Sequence, residues 1–237
     1  MAARTPLKKK LNSLSVSLSS SDEETQEIGS ASAYSPDQQE VDNLIQKAKK
    51  YLFRTHDWGC VTVIKKKRAV TFAHNQHRTL QPGQIIKIYS TEGNVEYDAT
   101  VVGTNAESDW VLLQSGVDLC EKEPIWGPVS DGHRYVQLGL SAPHQAESPL
   151  AISTGVISSG RMNKFGHTLG SAGANPGDSG GGCFDVSWGT LIGINVGCDN
   201  ATISIENDTG AQIYEKISSR YAARAHIIPI ASFQYIK

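Results

Sequence analysis

The chain has 237 residues, 39% hydrophobic and 19% charged, an ordinary globular composition that can bury a core of its own. Its 22 Lys and Arg against 24 Asp and Glu leave a net charge of -2, which excludes a general attraction to nucleic acid or to an anionic membrane. No stretch approaches the roughly 18 apolar residues of a spanning helix, and the opening MAARTPLKKKLNSLSVSLSSSDEE has no signal-peptide core. The expectation is an intracellular protein, cytoplasmic or nuclear, with no membrane and no nucleic-acid partner.

Residues 1–34 are rich in Ser, Lys and Glu and nearly free of aromatics, so they are expected to form a disordered tail. Its run Ser19-Ser20-Ser21-Asp22-Glu23-Glu24 would suit an acid-directed kinase, and a plain solvated linker is the simpler reading. A helix is expected over residues 35–54. Ser35 stands as N-cap, Pro36 as first helical residue and Gln38 three positions after the serine, completing a capping box. Val41, Leu44, Ile45, Ala48 and Leu52 give it one apolar face, which should dock on the domain of residues 55–237.

Beyond about residue 58 the chain turns to short apolar or alternating runs broken by turn residues. In order they are CVTVI, AVTFA, QIIKIYS, YDATVVG, WVLLQ, YVQLGL, LAISTGVISS, CFDV, TLIGINVG, ATISIE and AHIIPI. About eleven strands without βαβ alternation indicate an all-β sandwich or barrel. Lys65-Lys66-Lys67-Arg68 falls where two strands should turn, so it reads as a solvated hairpin tip. Cys60, Cys120, Cys183 and Cys198 show no CxxC and no Cys/His pair at zinc-ligand spacing. They read as buried thiols, with no metal and no cofactor expected.

The most informative stretch is Asn175-Pro176-Gly177-Asp178-Ser179-Gly180-Gly181-Gly182. A serine hydroxyl is a poor nucleophile, and needs a base within reach and backbone N–H groups aimed at the oxyanion it creates. Gly177 can take the dihedrals that turn its own N–H and that of Ser179 toward one point. Taken alone, GDSG would be better explained as a turn making local hydrogen bonds. It has company: Thr71-Phe72-Ala73-His74 ends an apolar strand, and Asp109 heads the run Trp110-Val111-Leu112-Leu113.

With these segments in the order His, Asp, Ser, the chain resembles a trypsin/chymotrypsin-fold serine peptidase over roughly residues 58 to 232. Thr71-Phe72-Ala73-His74 is similar to that family's TAAH segment, Asp109-Trp110-Val111-Leu112-Leu113 to its DIALL segment, and Gly177-Asp178-Ser179-Gly180-Gly181 to its nucleophile loop. The resemblance implies two six-stranded β-barrels, with Ser179 as nucleophile, His74 as general base and Asp109 orienting it. It implies an oxyanion hole from the N–H groups of Gly177 and Ser179, and a protein or peptide substrate. It also assigns Leu191–Gly197 to the strand that pairs with substrate, so that Asn195, Val196 and Gly197 would bind substrate, with Gly173 near the floor of the specificity pocket.

Two departures stand out. The spacings, 35 residues from His74 to Asp109 (109 − 74) and 70 from Asp109 to Ser179 (179 − 109), are shorter than in digestive peptidases, and Asn75 replaces the cysteine that normally follows the histidine. No IVGG-type segment precedes residue 58 to pair with Asp178, so that carboxylate should find another hydrogen-bonded or cationic partner. His56, His77, His133, His144, His167 and His226 read as surface or satisfied residues, His167 as loop decoration near the pocket. The competing function is a catalytically silent protease-like module that binds peptides in the same cleft.

Overall fold

The computed structural model describes residues 36–141, 150–198 and 224–236. The tail expected over residues 1–34, Ser35, and the strand expected at ATISIE all lie outside them.

The helix is α1 (Pro36–Ala48), followed by one 3-10 turn, Lys49–Tyr51. It ends earlier than the expected 35–54. Leu52 continues the helical spacing from Ala48, but Leu52–Thr55 forms a strand, β1, paired with β2 (Cys60–Lys65) and β4 (Ile85–Ser90). Pairing on both sides satisfies this backbone more completely than another helical turn could. With β3 (Arg68–Thr71), β5 (Glu96–Asn105) and β6 (Trp110–Ser115), these strands close a barrel in the order β1-β2-β3-β6-β5-β4.

The second barrel runs β10-β11-β12-β9-β8-β7. Its strands are β7 (Arg134–Gly139), β8 (Ala151–Ser159), β9 (Thr168–Gly170), β10 (Gly182–Asp185), β11 (Leu191–Cys198) and β12 (Ala225–Pro229). The sequence runs gave no sign of β9. Three residues are too few to show alternation, and β9 exists because β8 and β12 flank it. The fold is therefore the all-β pair of six-stranded barrels with an N-terminal helix.

Period-2 alternation builds separate cores. On β2, Val61 and Val63 point into the first barrel beside Phe53, Ala69 and Leu113, while Cys60 and Ile64 face the seam. The second barrel is filled by Tyr135, Ile157, Ile192 and Ile227. Between the barrels, Leu52, Phe72 and Leu112 meet Leu138, Phe184, Leu191 and Ile228, and Val41, Leu44, Ile45 and Ala48 of α1 join the same cluster. The helix thus closes one end of the seam. The Lys65–Arg68 hairpin tip is solvated as expected, with Lys66 and Lys67 exposed, and it is tied down by hydrogen bonds. The Lys66 N–H donates to Glu123 at 3.0 Å, and Arg68 donates to Gln114 and to the Ile236 carbonyl.

Candidate active site

Strand register brings the histidine and the acid together. β3 pairs antiparallel with β6, Thr71 opposite Val111, and continuing that register sets Ala73 opposite Asp109. The Ala73 N–H donates to Asp109 Oδ1 at 2.9 Å, and His74 Nδ1 lies 2.6 Å from Asp109 Oδ2. An acceptor on Nδ1 keeps the proton there and leaves Nε2 free to accept one. Asp109 holds a left-handed backbone, φ 60°, a conformation that Asp tolerates better than most residues.

The nucleophile loop reaches the same place from the second barrel. It precedes β10, and bonds across the seam fix it: Thr62 Oγ1 donates to the Gly180 carbonyl at 2.8 Å and Cys60 Sγ to the Gly177 carbonyl at 3.0 Å. Gly180 must be glycine. Its φ is 88° and a Cβ would stand 2.1 Å from the Cys60 carbonyl oxygen. Ser179, His74, Asp109 and Gly177 all line one cavity of about 820 Å³, open to solvent at the seam. Among the described residues no hydrogen bond joins the Ser179 hydroxyl to His74, a looseness common in unliganded sites. Gly177 has φ 103°, and among the described residues neither its N–H nor that of Ser179 donates to a protein acceptor.

Asp178, 1% exposed, accepts from the Asn175 N–H at 2.8 Å through Oδ2. The expected hydrogen-bonded partner is thus a backbone amide three residues earlier in the chain, and Oδ1 has no partner among the described residues. Two expected substrate contacts move. Asn195 is fully buried and does not line the cavity; its Nδ2 donates to the Asp178 carbonyl at 3.2 Å, so it braces the nucleophile loop from behind. Asn195 pairs in regular register with Ile227, whose side chain fills the second barrel, so Asn195 shares that inward face; the irregularity of β11 comes after it, between Asn195 and Gly197. Gly173 is exposed and outside the cavity, whereas its neighbour Ala174 lines it. Val196 and Gly197 line it.

Two of the histidines read from the sequence as surface or satisfied residues, His167 among them as loop decoration, pack beside the site. His77 is buried and stacks on Phe72 at 4.2 Å, and Phe72 in turn contacts the His74 ring at 4.5 Å. His167 is buried and its Nε2 lies 3.0 Å from the carbonyl of Ser108, the residue before Asp109. It therefore ties the second barrel to the loop that carries the acid. Burial pushes both imidazoles down from their ordinary value. Nothing in the local sequence marks either residue, since their partners are set by tertiary contact. Burial also pushes the Cys60 and Cys183 thiols far up, while Cys120 is only half-buried and is pushed to about 11.

A family model described as a trypsin-like peptidase domain matches residues 59–194, more than half of the chain. The chain belongs to the trypsin-like peptidase family. The search of curated proteins returns no match. Within this trypsin-like peptidase domain, the matched segment holds His74, Asp109 and Ser179, while β1, β12 and the docking helix fall outside it. A domain of this family is a protease-type hydrolase, whose substrates are proteins or peptides.

Proposed function

We propose that the chain is a serine endopeptidase that cleaves peptide bonds through an acyl-enzyme intermediate. Ser179 Oγ attacks the carbonyl carbon while His74 Nε2 takes the hydroxyl proton. Asp109 holds the imidazole in the tautomer that makes Nε2 the base and stabilises the imidazolium that forms. The oxyanion is received by the N–H groups of Gly177 and Ser179, each worth about 10²–10³ in rate. The tetrahedral adduct collapses as His74 returns the proton to the leaving amine. Water then repeats the sequence on the ester, with His74 as base, releasing the acid and restoring Ser179.

The observation that carries this reading is the 2.6 Å contact of His74 Nδ1 with Asp109, made at a cavity that Ser179 also lines. A stacking role for His74 would need no carboxylate, and a turn role for Ser179 would need no open N–H groups beside it. The alternative, a peptide-binding module without turnover, draws support from Asp178, whose buried Oδ1 has no partner among the described residues. Reaction with a fluorophosphonate separates the two. The full chain is expected to be labelled at Ser179 and to cleave members of a broad peptide library, with both signals abolished in Ser179→Ala. Labelling that persists in Ser179→Ala, or a folded wild-type chain that binds peptides and is never labelled, would overturn the enzyme reading.

A further inference from the structure

Across the cavity from Val196 and Gly197 the wall belongs to the first barrel. It is made by Asp57, Trp58 and Gly59, from the turn between β1 and β2, and by Asn75 and Gln76, which follow His74. The imidazole must hand its proton to the departing amine, so the leaving half of a substrate lies along the side where His74 and its successors stand. We propose that Asp57 and Trp58 form a subsite that selects a lysine or arginine among the residues following the scissile bond. This rests on the hydrolytic reading above and adds a substrate class to it.

The turn is rigid. The Thr55 N–H donates to the Gly59 carbonyl at 2.9 Å, the Trp58 N–H to the Thr55 carbonyl at 3.2 Å, and the Gly59 N–H to Thr55 Oγ1 at 3.0 Å. The Thr55 hydroxyl donates in turn to Asp57 Oδ1. Trp58 takes φ 65°, a conformation that costs a bulky residue on the order of 1–3 kcal/mol and that persists only where the surroundings impose it. The result is an indole 42% exposed at the cavity wall, beside a carboxylate whose side chain is 43% exposed.

Asp57 is also the uncommitted charge of the site. The other carboxylate lining the cavity, Asp109, is held by His74 and the Ala73 N–H. Among the described residues no lysine or arginine pairs with Asp57; its ionisable neighbour is His77, whose Nε2 stands 3.7 Å away. Burial alone would raise the Asp57 carboxyl, but the Thr55 hydroxyl, joined by His77 only in its charged form at acid pH, outweighs it and holds it below the ordinary carboxylate range. His77 is buried and pushed down, so at neutral pH it leaves the Asp57 charge uncancelled. Arg54 packs its guanidinium 4.3 Å from the Trp58 ring and lies outside the cavity lining. A lysine or arginine stem would run along the indole and deliver its cation to Asp57.

Two measurements on the full chain test this. Peptides sharing one acyl half are varied between Lys, Ala and Glu at the first two positions after the cleaved bond, and kcat/KM is compared. In parallel, fluorescent extended peptides carrying Lys or Glu at the same positions are titrated against Ser179→Ala, which reads the subsite without turnover. Lys is expected to exceed Glu by about tenfold in both measurements, with the ratio shrinking as salt is raised. Asp57→Asn, which keeps an acceptor for the Thr55 hydroxyl, should bring the ratio close to unity, and Asp57→Lys should invert it. A Lys-to-Glu ratio of one in the Ser179→Ala titration, or a ratio that Asp57→Asn leaves intact at unchanged Tm, would overturn the subsite. Preferential Lys binding to Ser179→Ala by a wild-type chain that never turns over would uphold the subsite while refuting the hydrolytic reading.

Discussion

Replacing Asp109 by asparagine separates the geometric role of this residue from its charge. The carboxylate accepts twice, from the Ala73 N–H at 2.9 Å and from His74 Nδ1 at 2.6 Å, but an amide offers one acceptor and one donor. If the amide oxygen faced His74, its NH₂ would meet the Ala73 N–H. Two donors would then oppose each other at a half-buried position, at a cost of about 1–3 kcal/mol. The opposite disposition therefore prevails: oxygen on Ala73, NH₂ on His74 Nδ1. Nδ1 must then be the unprotonated nitrogen, and the proton moves to Nε2, where it points at Ser179 and abolishes the base. The expected loss is about 10⁴ in kcat, or roughly 5.4 kcal/mol in the barrier. Folding should be little affected, because asparagine tolerates the left-handed φ of 60° as readily as aspartate does. Single-turnover acylation of an activated ester, paired with a thermal melt, gives both quantities. An Asp109→Asn chain that acylates within tenfold of wild type, at unchanged Tm, would refute the tautomer argument.

Gly180→Ala should be among the most damaging small substitutions. Its Cβ would stand 2.1 Å from a backbone carbonyl at φ 88°, and the urea midpoint is expected to fall by the equivalent of at least about 2 kcal/mol; an unshifted midpoint would contradict the cross-seam contact. The buried histidines make stability depend on acid. Burial holds both His77 and His167 below the ordinary imidazole value of about 6.5 when folded, so the unfolded chain binds protons first as pH falls. Their contribution is whole above about pH 6.5 and is lost as pH drops through the folded values. Melts from pH 7.5 to 5 should show Tm falling, with a shallower slope in His77→Gln; equal slopes would dismiss His77 as a source.

Much of the fold could be read from alternation and turns, because strands such as β2 and β6 carry enough consecutive residues to declare which face is apolar. β1 and β9 could not. Leu52 fits the helical stripe of α1 as well as it fits a strand, and Thr168–Gly170 is too short for any period. At the site, the segments holding His74, Asp109 and Ser179 were legible because this chemistry restricts residue type and order. Their surroundings were not. Whether Asn195 faces substrate or the back of the nucleophile loop depends on its pairing opposite Ile227 of β12, a tertiary partner that local composition does not reveal. His167 and Ser108 are neighbours only in three dimensions, and Asp57 and Trp58 look like any polar turn until the cavity shows what they border.

The apolar cluster shared by α1 and both barrels has a mechanical consequence. Leu112, Leu138, Phe184 and Ile228 interlock across the junction, and α1 is wedged against them. The two halves that shape the groove thus share one packed core, and any movement of one barrel against the other has to break apolar contacts made by both. On the hydrolytic reading proposed above, a groove held this way favours target segments that arrive already extended.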